Sequence, residues 1–236
     1  MRSCLIQLVV MVAVVFALLW FGLPFGAGWL ATNVLNAAGF TGTNTKVAVS
    51  ADLPPRILMG HADRIRLTST QVSVGDLHAE SVDVTLGDVD LLNRTIGSAR
   101  GTLTGVRMVS PNGDPITFGS ASINGVGTGA TVTLTISATD LGNSAVAQLK
   151  TQKINATSVK FGAPNNVTVT AAGHSQKGHL VVQNGSLVMT VPGQSPSSVT
   201  IIDAGTGNPF HFTSVSVEGD SVTLVGTIDM ESLLGL

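Results

Sequence analysis

From Lys46 onward, apolar side chains recur at every second position in short runs, and this alternation limits the fold more than any other feature of the chain. Successive side chains of a strand point to opposite faces, so period-two runs describe sheet with one face buried and the other wet. The first runs are Val47 and Val49, Ile65 and Leu67, Val72 and Val74, and Val82, Val84 and Leu86. Val132, Leu134 and Ile136 follow, then Val167 and Val169, Leu180 and Val182, Leu187 and Met189, and Val199 and Ile201. Phe210 and Phe212, Val215 and Val217, and Val222 and Leu224 complete the pattern. Roughly ten to thirteen strands fit.

Turn-forming residues separate these runs at Val74-Gly75-Asp76, Pro111-Asn112-Gly113-Asp114, Asn184-Gly185, Gly205-Thr206-Gly207-Asn208 and Glu218-Gly219-Asp220. Residues that tolerate positive φ at such spacings describe antiparallel hairpins. Charged residues make up only 11% of the chain against 44% hydrophobic. An ordinary soluble domain is about a quarter charged, so the composition favours sheet over a helical bundle.

Two segments break the alternation. In Leu53-Pro54-Pro55-Arg56-Ile57-Leu58-Met59-Gly60, the prolines open a short helix or turn that Gly60 ends. From Asp140 to Lys153, Leu141, Ala145, Val146 and Leu149 recur on one helical face, with Thr139 or Asp140 as the cap. Lys150 and Lys153 then fall in the expected last turn, where cations complement the helix dipole. Such an apolar stripe is more often packed core than the wall of a ligand groove.

The amino terminus is of another kind. Leu5 to Leu23 carries no charge and one strongly polar side chain, Gln7. As a helix it reaches about 28 Å, enough to span a bilayer. Arg2 precedes it and no Lys or Arg follows until Lys46, which sets the amino terminus in the cytoplasm and the rest outside. The expectation is a membrane anchor or uncleaved signal over 1–25, an amphipathic stalk over 26–45 and one elongated β domain over 46–236. Gly26 to Phe40 suits a second short helix, with Trp29 at the membrane interface or in the core.

Without Arg2 the chain has 11 basic residues against 14 acidic ones, which offers nucleic acid no electrostatic footprint. The single cysteine, Cys4, excludes a disulfide within the chain. No G-x-S-x-G, H-E-x-x-H or Walker A motif is present, so no catalytic residue, metal ligand or cofactor is assigned. The histidines at 61, 78, 174, 179 and 211 are scattered, and Gly125-Val126-Gly127-Thr128-Gly129 reads as a flexible loop. Asp83, Asp88 and Asp90, with Glu80, alternate with Val and Leu as a solvated face does. Charge is unevenly placed: Leu141 to Ile202 contains Lys150, Lys153, Lys160 and Lys177 and no acid, while Asp203 to Leu236 contains five acids and no base. A basic flank beside an apolar groove suits an anionic headgroup; spread lysines also keep sheet edges soluble.

Leu53 to Leu91 contains a proline turn, Leu58-Met59-Gly60, the strand pattern Ile65 to Leu67, Val72 to Gly75 and Val82-Asp83-Val84. In these elements the chain resembles the LmeA-type phospholipid-binding family of bacterial envelope proteins. Thr131 to Leu149, a strand running into an Asp-Leu helix start, and the closing hairpin of Pro209 to Asp229 resemble it too. The absence of tyrosine and the Gly-rich stretch Gly119 to Gly129 depart from it. The resemblance implies a tubular lipid-binding, BPI-like fold, mainly β with one or two helices, in which a long curved antiparallel sheet wraps a helix. It also implies a phospholipid or related membrane lipid as partner. The acyl groove then falls to Leu141, Ala145, Val146 and Leu149, and the headgroup to Lys150 and Lys153. A structural or adhesion-type β-sandwich without ligand is the alternative, and a hydrolase with a concealed site a third.

Overall fold

The computed structural model describes residues 40–52, 56, 59–74, 77–90, 93, 95–109, 115–127, 129–193, 196–203 and 210–229. Its strands are β1 (Phe40–Ser50), β2 (His61–Val74), β3 (Leu77–Asp90), β4 (Thr95–Val109), β5 (Pro115–Val126) and β6 (Gly129–Ser137). The helix α1 (Ala138–Thr151) follows. Then come β7 (Ala156–Gly162), β8 (Asn166–Ala171), β9 (His174–Gln183), β10 (Ser186–Thr190), β11 (Ser198–Ile202), β12 (Phe210–Glu218) and β13 (Ser221–Asp229). They form an eight-stranded sheet in the order β1-β2-β3-β4-β5-β6-β13-β12 and a five-stranded sheet in the order β11-β10-β9-β8-β7. Neighbouring strands within both sheets pair antiparallel, as hairpin-linked alternation requires.

The alternation is realised almost residue by residue. Ile65, Leu67, Val72, Val82, Val84, Leu86, Val132, Leu134, Ile136, Val167, Val169, Leu180, Leu187, Met189, Val199, Ile201, Phe212, Val217, Val222 and Leu224 are all buried. They belong to one core that runs through both sheets and takes in α1. At the open edge, Val47 and Val49 of β1 are only half-buried. The Asn184-Gly185 turn has positive φ at both residues, 51° and 77°, the geometry that a two-residue hairpin with right-handed twist demands.

The large sheet is creased along two rows. Strands β2 and β3 pair Thr70 with Ser81 and Val72 with Ala79, skipping Gln71 and Glu80. The row continues at Gly105 on β4 and Gly119 on β5, with left-handed φ at Gln71 (50°) and Gly105 (57°). A second row crosses Asp63, Asp88 and Gly97, with φ 51° at Asp88. At each crease the neighbouring strands carry one extra residue apiece, so register survives while the inward positions change parity: Ile65 and Leu67 are odd-numbered, Val72 even. Such matched bulges bend and coil a sheet. Glycine suits position 105, because φ 57° is a conformation that L-residues rarely adopt and a Cβ there would have to displace the Glu80 side chain.

Several expectations need correction. The helix begins at Ala138 on a Ser137 cap, ahead of Thr139 and Asp140, and Lys153 lies beyond its end. Residues 40–45, expected as stalk, are strand. The stretch Gly125 to Gly129, expected as a flexible loop, is largely strand: Gly125 and Val126 end β5, Gly127 turns with φ 64° and Gly129 opens β6. No helix among the described residues is long and apolar enough to cross a membrane. The spanning segment expected over 5–23 lies outside the described residues, as does the short helix expected over 26–40 except for Phe40, which opens β1.

The small sheet is tied to the edge of the large one through main-chain hydrogen bonds. Phe212 N–H on β12 donates to the Gly185 carbonyl (2.9 Å), and Val217 N–H to the Pro164 carbonyl (2.8 Å). Helix α1 touches β7 and β11 of the small sheet and β5, β6 and β13 of the large one, so it lies between the two.

Candidate functional site

Helix α1 is started by Ser137, whose Oγ accepts from Asp140 N–H (3.0 Å) and donates to Asp140 Oδ2 (2.9 Å). Asp140 lies in the first turn and Lys150 in the last, each complementing the nearer pole of the helix dipole. The far end closes as a Schellman motif. Ile154 N–H donates to Leu149 O (2.9 Å) and Lys153 N–H to Lys150 O (3.0 Å). Lys153 occupies the left-handed position at φ 64°, where glycine is usual.

The buried face of α1 consists of Ala138, Leu141, Gly142, Ala145, Gln148 and Leu149. Its small residues let the helix sit close to sheet. A Cβ on Gly142 would stand 2.5 Å from the Val159 carbonyl of β7. Leu141 and Ala145 are 0% exposed and Leu149 2%, so protein atoms already cover these three members of the expected acyl wall. Val146, the fourth, is half-buried at the margin of the core. Gln148 was not expected on this face. Gln148 stands seven residues after Leu141, an apolar-phase position filled by a polar residue, and that was the available signal.

Lys150 and Lys153 are both exposed at the carboxyl end of α1. Lys160 and Lys177 come together elsewhere: both pair with Thr168, from either side, and are exposed on the outer face of the small sheet. The acid-free stretch therefore supplies two basic positions at the helix end and two across the β7-β8-β9 row.

Other polar groups are structural or dispersed. Arg66 forms a two-point pair with Asp83, Nε to Oδ1 at 3.0 Å and Nη2 to Oδ2 at 2.6 Å. Hydrogen bonding from Arg66 holds the Asp83 carboxyl below its ordinary range; desolvation opposes this in part, and the guanidinium charge adds to the lowering. His61 approaches Asp90 at 3.4 Å. An open hollow at the first crease is rimmed by Gln71, His78, Glu80 and Arg107. Among the described residues, no three His, Cys, Asp or Glu side chains converge as a metal site would.

The family model described as LmeA-like phospholipid-binding matches residues 25–227, most of the chain. No curated protein and no solved structure matches.

Proposed function

The chain belongs to the LmeA-like phospholipid-binding family, and from that membership we propose that it is a membrane-anchored, extracytoplasmic protein that holds a phospholipid beside α1. The family match carries this reading, and the position of the helix between two sheets gives it a physical form. The acyl chains lie between α1 and the large sheet, along Leu141 and Ala145. Because these side chains are covered in the present structure, the helix rides outward as lipid enters. Each methylene withdrawn from water contributes about 0.8 kcal/mol, so an apolar slot binds lipid without dedicated polar chemistry.

The phosphate meets Lys150 and Lys153 at the carboxyl end of the helix. A lysine held in the left-handed conformation supports this, since glycine would occupy that position with less strain. The uncharged stretch from Leu5 to Leu23 anchors the protein in the cell membrane, with the amino terminus cytoplasmic. The role is lipid handling in the envelope rather than catalysis. Full-length protein reconstituted in acceptor vesicles is expected to withdraw fluorescent phospholipid from donor vesicles faster than protein-free acceptors do. Equal rates would remove the proposed role.

A further inference from the structure

The small sheet carries charge of one sign. From Leu141 to Ile202, a stretch that takes in β7 to β11, there is no Asp or Glu. Its inward positions Val159, Val167, Val169 and Leu180 are buried, and the residues alternating with them form the outer face. Register sets Lys160, Thr168 and Lys177 in one row across β7, β8 and β9, and Ser158, Thr170 and Ser175 in the next. Lys160 and Lys177 are exposed, and two strand spacings put their backbones about 10 Å apart. His179, two residues after Lys177, is exposed on the same face.

Protection of a sheet edge does not account for this pattern. Lysine commonly guards an open edge. Lys160 lies on β7, an edge strand, but Lys177 lies on β9, the central strand of five. Ion pairing does not account for it either, since neither lysine joins a salt bridge among the described residues. Two acids stand at the margins of the face. Glu218 adjoins Val217, whose N–H donates to the Pro164 carbonyl in the β7–β8 turn, and Asp203 accepts from Ser186 Oγ (2.9 Å) at the start of β10. Acids gather instead on the large sheet, with Glu80, Asp83, Asp88 and Asp90 on β3 alone.

We propose that the outer face of β7–β9 rests on an anionic phospholipid surface, with Lys160 and Lys177 against negatively charged headgroups. The proposal rests on the membrane-anchored reading above and adds which side of the domain meets the bilayer. Charge complementarity carries it: two free cations stand on a floor of hydroxyl side chains, and basic residues within a Debye length of an anionic bilayer are drawn to it. Three strands side by side meet a charged plane across their whole breadth. A tether also makes a weak contact effective, because it holds the domain beside its own bilayer at high effective concentration.

The experiment places the full wild-type chain in lipid nanodiscs of phosphatidylcholine alone, or of equal parts phosphatidylcholine and phosphatidylglycerol. Brief acetylation followed by peptide mass spectrometry reads the accessibility of each lysine. Lys160 and Lys177 are expected to react about fivefold more slowly on the anionic discs, and to recover in high salt. Exposed Lys46, on the edge strand β1 of the large sheet, is expected to react alike on both. Thr168→Glu, which sets a carboxylate between the two lysines, is expected to abolish the difference. Slowing no greater than that of Lys46 overturns the inference and leaves lipid binding, read from the lipid that the chain retains, as it stands. A difference that Thr168→Glu leaves intact overturns it as well. Shielding of the pair by dextran sulfate but not by anionic discs assigns the face to an acidic polymer instead. A chain that stays with neither disc removes the anchored reading and this inference with it. The wild-type rates need no variant to fold.

Discussion

Lys153 holds a backbone conformation that costs an L-residue roughly 1–2 kcal/mol relative to glycine. Lys153→Gly is therefore expected to stabilise the protein by about 1 kcal/mol in urea unfolding, while lowering its retention of anionic phospholipid. A gain in stability with lipid retention unchanged would leave the lysine without a headgroup role. The sequence placed Lys153 in the last helical turn because periodicity runs on until something stops it. What stops α1 is a pair of main-chain hydrogen bonds to Leu149 and Lys150, which no side-chain pattern reveals. The Arg66–Asp83 pair gives a pH prediction. Its carboxyl is held below the ordinary value, so its contribution is present above about pH 4 and is lost as pH falls through the lowered value. Both side chains are largely exposed, so the contribution is small and screened by salt. Asp83→Asn is expected to flatten the acid limb of the stability curve slightly and to leave stability in high salt unaltered.

At the scale of elements, the helix was visible through Leu141, Ala145 and Leu149, but its start was not. Ser137 continues the outward series Thr133, Thr135 and also pairs with Ser221, so it reads as strand until the structure shows it capping α1 as well. The creases were visible and misread. Ile65 with Leu67, and Val72 with Val74, look like two short strands because their parity differs; they form one long strand, β2, with Gln71 taking up the extra residue. Helix position depends on Gly142. Gly142→Ala adds helix propensity but drives a Cβ to 2.5 Å from the Val159 carbonyl, a main-chain atom that cannot swing aside. A net loss of about 1–2 kcal/mol in chemical unfolding is expected. An unchanged midpoint would mean that α1 moves off β7 without cost.

For the whole molecule, alternation and hairpin turns sufficed to state an antiparallel, mainly β fold with a helix, and the family followed from short patterns near both ends of the β domain. The division into two sheets was not legible. It depends on β13 pairing with β6 across the intervening helix and six strands, a contact between residues far apart in sequence. Nor was the burial of Gln148, because burial of a polar side chain is set by what packs over it. The central claim is that this fold carries a phospholipid between α1 and the large sheet. Native mass spectrometry of the full chain, purified from bacterial membranes and released gently from detergent, tests it most directly. The account predicts a protein mass raised by one phospholipid at near-stoichiometric occupancy; a bare chain, still bare after incubation with phospholipid vesicles, would contradict it.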